Sequence, residues 1–522
     1  MKKIVYSLFL SLMVTMIYGD IYVSLDGTGT GTDWEHATND LNNAITACGS
    51  GETVWVSNGT YNVNLVMPSG AIMRSIYNNR SEVILNGMAS GNVVIMDSDG
   101  GTIIGFTVTN GNSIIGSGGG IDCVTQNGIV SNCVVKKNSA SGGGGINSGK
   151  IYNSIICENV ENAAGGGGCI NSTLFDCIIS NNSAGASDGG GVLNGTISNC
   201  IIIANSTINN GGGAYNCTIY NSIISNNTAY ASGGGVNVGT IYNSIIDGNI
   251  ATITGPGGIR SVNAYNCLIK NNYDVGTVWE AGGALECSLY NCTLTKNNVQ
   301  GARFCNLYNS ISYDNAAADN FTDINDPYSK STNQHSCGNF VYYDNDLAET
   351  LPYYGHGSIN DNPLFSNSDY NYKLQSISPC VDTGSNEIWS LTGKVDLAGS
   401  NRVFNLIVDM GCYEYSYLIP KKIFLFSQPP YTGPMVTNLI VTGTISPDIR
   451  GTYVEGEAYG GYRAWYYSSY YIRVEGMSYI LYYDEMTWWQ TEAEDYNPVS
   501  SYSAQMMASG TPLVNYSIVP AD

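Results

Sequence analysis

One short motif recurs nine times along the chain at nearly constant spacing. Its central Asn or Asp stands at Asn132, Asn153, Asp176, Asn199, Asn221, Asn243, Asn266, Asn291 and Asn309. Successive gaps are 21, 23, 23, 22, 22, 23, 25 and 18 residues. With this residue as column zero, every other position falls into register. Column minus two runs from Val130 and Ile151 to Leu289 and Leu307, and column plus three from Val135 and Ile156 to Leu294 and Ser312. Column plus one is always Cys or Ser. Column plus six is Asn in every copy, from Asn138 to Asn315. Glycine clusters such as Gly189 to Gly191 and Gly211 to Gly213 separate most copies.

Each copy holds two or three very short β-branched segments, too short for a stable sheet alone. Coils stacked about 4.8 Å apart pair every segment with its neighbours and turn each apolar column inward. Asn at one recurring corner then forms an amide ladder, each side chain donating to the next coil. Glycine supplies the positive φ of sharp corners. A helical repeat is excluded, because each glycine of a triplet costs about 1 kcal/mol against Ala. A propeller blade needs roughly twice this period. The sequence predicts a β-solenoid.

Composition narrows the function classes. The 522 residues carry 20 Lys and Arg against 42 Asp and Glu, a net charge of -22, which excludes electrostatic binding of nucleic acid. Lys2 and Lys3 precede an apolar run from Ile4 to Ile17, read as a signal peptide over residues 1–19. The expectation is a secreted, cell-surface or outer-membrane protein without a transmembrane segment in the mature chain. Fifteen Cys in an exported chain invite disulfides, with at least one thiol left over. Column plus one sets Cys177 beside Cys200 and Cys267 beside Cys292, within disulfide reach, and equally suited to stacked free thiols.

The repeat resembles the right-handed parallel β-helix superfamily that includes pectate-lyase-like proteins. Segments such as Ile179-Ser180-Asn181-Asn182 followed by Gly189-Gly190-Gly191 are similar to the repeats of polymorphic outer-membrane proteins. The resemblance implies an all-β fold, a right-handed parallel β-helix over residues 20–325. Leu41, Ala44, Ile45 and Cys48, at helical spacing, predict a helix capping the first coil. Residues 316–361 lose the period. Asn362-Pro363-Leu364-Phe365, Ser378-Pro379, Asp382-Thr383-Gly384, Arg402 and Asp409-Met410-Gly411 resemble the choice-of-anchor Q module, so residues 326–415 are read as last coils and cap. A Pro-rich linker over 416–436 leads to a small antiparallel β domain over 437–522, rich in Trp and Tyr.

Several residues are candidates for chemistry. Arg260, Glu286 and Arg303 fall on three successive coils and form either a lyase-like site or a charge ladder. Lys137 with Glu158, Asp247 with Lys270 and Lys296 with Asp314 repeat the opposite-sign pattern. Column minus one carries Tyr152, Phe175, Tyr220, Tyr242, Tyr265, Tyr290 and Tyr308, broken by Ser131 and Ser198. It faces outward, as a polysaccharide-binding stripe or as a self-stacking ladder. Trp465, Tyr467, Trp488 and Trp489 are carbohydrate-binding candidates in the last domain, or pack its sheet. Asp319, Asp323 and Asp326 are candidate Ca²⁺ ligands, on a loop without EF-hand spacing. No other cofactor is expected. Gly355-His356-Gly357 copies a polygalacturonase tripeptide whose companion motifs are absent. The main expectation is a non-enzymatic surface or matrix adhesin that binds carbohydrate. The alternative is a polysaccharide lyase or glycoside hydrolase on the same fold.

Overall fold

The apolar columns close into one continuous shaft. The structure is a computed structural model that describes residues 19–276 and 281–317, then, with short gaps, 319–415, and backbone strands between 438 and 520. The chain divides into one unit over residues 1–415 and a second over 416–522. Residues 1–18 of the expected leader lie outside the described residues.

The first unit is a parallel β-helix. Three parallel sheets run along it; among the described residues the coils contribute short strands to the first two, and those between Asn112 and Asp274 to the third as well. In one coil, strands Cys169–Ile170 and Thr173–Phe175 belong to the first sheet, Ile178–Ser180 to the second and Ser183–Ala184 to the third. The register is that of the columns. Ile156, Ile179, Ile202, Ile224, Ile246 and Ile269 pair directly from coil to coil. All six are fully buried. Because the side-chain period of a strand is two, this alignment leaves the alternate residues facing outward.

Two polar ladders run beside the apolar ones. Asn138, Asn159, Asn182, Asn205, Asn227, Asn249, Asn272 and Asn297 each donate Nδ2 to the Oδ1 of the next copy, at 2.9–3.1 Å. Each Oδ1 also accepts the backbone N–H of the Asn before it, as Asn227 does from Asn205 at 2.9 Å. Column plus one forms the second ladder. Ser222 Oγ accepts the backbone N–H of Cys200, and Cys200 Sγ accepts that of Cys177. The position demands a small buried acceptor, which explains why it alternates between Cys and Ser. All fifteen cysteines are free thiols, and all but Cys157 are buried.

Glycine and Asn share the corners. The first glycine of the clusters takes the left-handed conformation as expected, with φ 64°, 71°, 68° and 63° at Gly118, Gly189, Gly211 and Gly233, and column zero takes it as well, with φ between 47° and 56° from Asn132 to Asn309. Columns five before and five after it do the same, at Asn171, Asn194 and Asn216, and at Lys137, Glu158 and Asn181. Asn tolerates this region best among residues with a Cβ, because its short amide bonds locally. The middle glycine of a triplet has a second task. A Cβ on Gly190 would lie 2.3 Å from Ser206 O and 2.4 Å from Gly212 O, so the third sheet closes on bare backbone.

The period also outlasts its sequence signal. Strands Asn333–Gln334 and Cys337–Gly338 pair with Leu307–Tyr308 and Ile311–Ser312. His335 takes column zero at φ 46°, and Ser336 Oγ accepts the N–H of Ser310. One coil on, Gly357 stands at φ 68° and Ser358 Oγ accepts the N–H of Ser336. Insertions on either side of residues 333–338 hide these copies. His356 and Gly357 of the Gly-His-Gly tripeptide therefore belong to a corner, with His356 bridged to Gln334 in the column of rings, while Gly355 lies outside the described residues.

Two caps finish the unit. Helix Leu41–Ala47 buries Leu41, Ala44 and Ile45, and Asp40 caps it by accepting the N–H of Asn43. At the other end, the described residues between 395 and 415 fold back onto the second sheet's outer face. Cys412 N–H donates to Thr293 Oγ1 at 3.0 Å, and Leu268 packs with Tyr372 and Cys412. Among the described residues the second unit is one antiparallel sheet of eight strands, from Met486–Gln490 at one edge to Tyr502–Ala508 at the other. No helix among the described residues is long and apolar enough to cross a membrane.

Candidate functional site

The outer face of the first sheet carries the aromatic column. Tyr220, Tyr242, Tyr265, Tyr290 and Tyr308 occupy matching positions on five successive coils. Their centroids are 4.8–5.0 Å apart and their planes within 12° of parallel. Tyr152 and Phe175 form a second, two-ring stack at 5.3 Å. Coil rise sets this spacing, so each ring covers its neighbour's face and turns its edge and hydroxyl outward. Burial between neighbours pushes the Tyr242, Tyr265 and Tyr290 hydroxyls above their ordinary pKa. The column faces outward and stacks on itself, as the self-stacking expectation had it.

Two residues before the rings lies a polar column. Lys150, Thr173, Thr196, Thr218, Thr240 and Asn263 pair in register from coil to coil. Rings and hydroxyls thus form two parallel rows at coil spacing. Further upstream the ring column begins with Tyr22, Trp55 and Arg74. The Arg74 guanidinium lies over Trp55 at 5.4 Å, and Trp55 Nε1 donates to Asp20 Oδ2.

Across the corner at Ser261 sits the charged trio. Arg260 Nε and Nη2 donate to Glu286 Oε2 and Oε1 at 3.1 and 3.4 Å, and Ser261 Oγ adds a third bond. Arg303 lies on the next coil, its guanidinium 4.7 Å from the Phe304 ring centroid. Lys137 with Glu158 at 3.6 Å and Lys270 with Asp247 at 2.9 Å repeat the pairing elsewhere. The carboxylate of Glu286 thus engages the Arg260 guanidinium on two of its nitrogens.

The remaining candidates gain less from the fold. Asp319 and Asp323 end strand Asp319–Asp323, whose side chains, with Asp326, lie outside the described residues. No group of three His, Cys, Asp or Glu suited to a metal occurs among the described residues. In the second unit, Trp465 pairs with Ile472, Tyr467 with Tyr470 and Trp489 with Leu481, and Trp488 stands on Met486–Gln490. Their side chains lie outside the described residues.

Sequence reasoning singled out Arg402 and Asp409 only as motif residues. The fold buries both beside Asp396 and Glu414. Arg402 Nη2 donates to Gly411 O, and Nη1 lies 4.0 Å from Glu414 Oε2. Asp409 accepts the backbone N–H groups of Asp382 and Tyr415. This cluster locks the returning segment and is closed to a ligand.

Comparison with known proteins bears on the fold. No family model matches the chain, and no curated relative does. Among solved structures it is similar to pectate lyase Pel9A, at 15% identity and a TM-score of 0.36, over 76% of this chain and 96% of that one. It is also similar to a PL6 family alginate lyase, AlyGC, at 12% identity and a TM-score of 0.40, over 78% of this chain and 60% of that one. The architecture rests on the chain's own strand register, which is that of a parallel β-helix.

Proposed function

We propose that the chain is an exported polysaccharide-binding β-helix protein that works at a surface or in a matrix as an adhesin. Its glycan lies lengthwise on the outer face of the first sheet. One observation carries the reading: five stacked tyrosines present their edges in a row, beside a parallel row of Thr and Asn. Phenol and alcohol hydroxyls meet sugar hydroxyls as donors and acceptors alike. A row repeating every coil, roughly 4.8 Å, suits a ligand that repeats on the scale of one sugar residue. The Lys2–Ile17 leader pattern supports export. Trp465, Tyr467, Trp488 and Trp489 offer a second carbohydrate surface, tested by Trp488→Ala in the full chain.

The test is retention of the full chain on insoluble polysaccharides. Replacing Tyr242, Tyr265 and Tyr290 together by Ser, a residue the column already holds at Ser131 and Ser198, removes the row. Lost retention with cooperative unfolding intact supports the reading, and unchanged retention overturns it.

A second reading, cleavage of the glycan by lyase or hydrolase chemistry, rests on Arg260 and Glu286 standing across one corner from this face. A substrate would have to break their ion pair before either could move a proton. Release of unsaturated or reducing ends by the native chain, lost in Glu286→Gln, would establish it.

A further inference from the structure

The ring column is interrupted once between its two stacks, and the interruption has the dimensions of a site. Phe175, Ser198 and Tyr220 occupy the same position on three successive coils, in direct register. Phe175 stacks on Tyr152 and Tyr220 on Tyr242, so each has one face covered. With the three positions in register, coil stacking leaves their other faces on the side of Ser198. Two coil rises, about 9.6 Å, separate them. One six-membered ring placed midway would lie about 4.8 Å from each, the spacing the tyrosines keep among themselves. Tyr220 is the most open ring of its stack, at 38% exposure.

The surroundings select the ring. At the floor, Ser198 Oγ makes no hydrogen bond within the described residues, and Thr196 stands exposed two residues before it on the same face. Asp176 is exposed beside Phe175. Ile178, Ile201 and Ile223 line the far side of the corner, at 39, 38 and 41% exposure. Two apolar ring faces opposite each other favour a guest with C–H-rich faces, and the hydroxyls and carboxylate at the edge favour one with a rim of hydroxyls. The nearby Asp176 and the net charge of -22 disfavour a uronate. We infer that the gap at Ser198 is a slot for one neutral pyranose, held between Phe175 and Tyr220. The inference rests on the polysaccharide-binding reading and fixes where on the face a sugar is gripped and which sugars are accepted.

The experiment is isothermal calorimetry on the full chain with cellohexaose, xylohexaose, mannohexaose and hexagalacturonate. Binding of at least one neutral hexaose over the galacturonate is expected. Ser198→Tyr fills the slot with a ring at ladder spacing and should weaken that binding about tenfold or more, the worth of about 1.4 kcal/mol. Its melting temperature should not fall. Phe175→Ala removes one wall and serves as the second variant, with the same direction expected. Unchanged affinity in both variants overturns the slot, while loss in the triple tyrosine variant would still uphold the face. Tighter binding of the galacturonate, or no neutral hexaose bound by the native chain, also overturns the slot. Polymer retention by that same native chain then decides whether the broader reading falls with it.

Discussion

Asn205 donates its Nδ2 hydrogen to Oδ1 of Asn227 at 3.0 Å, in an interior where neither side chain is more than 1% exposed. The same amide donates to Ile179 O at 2.9 Å and accepts both N–H groups that Asn182 turns toward it. Replacing Asn205 by Ala leaves the two Asn182 donors without their acceptor and takes a donor from Ile179 O, while Asn227 Oδ1 keeps only the backbone N–H of residue 205. At about 1–3 kcal/mol for an unsatisfied group, partly relieved by relaxation, the loss should be about 3–5 kcal/mol. Urea unfolding should show it, with hydrogen-exchange protection falling first in the coils of Asn182 and Asn227. An unchanged midpoint would show that the ladder adds nothing to stability.

The tyrosine stack should contribute far less. Each ring is half-buried at the surface, and a stacked aromatic pair is worth about 0.5–1.5 kcal/mol. Tyr265→Ser removes two such contacts, with Tyr242 and Tyr290. The expected cost is about 1–3 kcal/mol by thermal or urea unfolding. A larger loss would mean that the column is a structural spine rather than a surface.

Acid should tighten the C-terminal cap. Burial raises the Asp409 carboxyl from 3.8 to about 6. The folded chain therefore holds this proton more tightly than the unfolded one. The stability that Asp409 contributes is full below about pH 4 and is lost as pH rises through about 6, at most about 3 kcal/mol in all. Hydrogen exchange over residues 396–414, corrected for intrinsic rate, should be slower at pH 5 than at pH 7. Asp409→Asn should flatten the difference. If the native segment opens more readily at pH 5, the sign is wrong.

Thiol reactivity should be confined to one residue. Cys157 alone is partly exposed, while burial pushes the Cys133 thiol up to about 11 and Cys217 up to about 12. Iodoacetamide at pH 8 should label Cys157 first and the other fourteen only on unfolding. Peptide mapping after quenching gives the order. An intact mass two daltons lighter for the Cys177 and Cys200 peptides would instead show the stacked pair oxidised.

Much of the candidate face could be read before folding, because it lies inside the repeat. Tyr220 to Tyr308 were visible as one column, and alternation from the buried Ile219 and Ile241 turned them outward. Arg260 and Glu286 were legible as neighbours for the same reason, since stacking converts a shared column into contact. His335 and Ser336 were not, because insertions of unrelated length hide them from any count of spacing. The Arg402 and Asp409 cluster was equally hidden. Its members come together with Asp396 and Glu414 only when a non-repetitive segment folds back.

The sequence by itself determined the solenoid, its apolar shaft and the direction of its Asn ladder, since a fixed period leaves one way to bury every column at once. It also determined that Ser198 breaks a row of rings. The tertiary structure decided what that break is worth. Stacked neighbours close off one face of Phe175 and one of Tyr220, and coil rise holds their other faces one guest ring apart. It also decided that column zero joins the glycines at the left-handed corners and that the middle glycine of a triplet serves close packing, because φ and the approach of a neighbouring backbone are set by how coils stack.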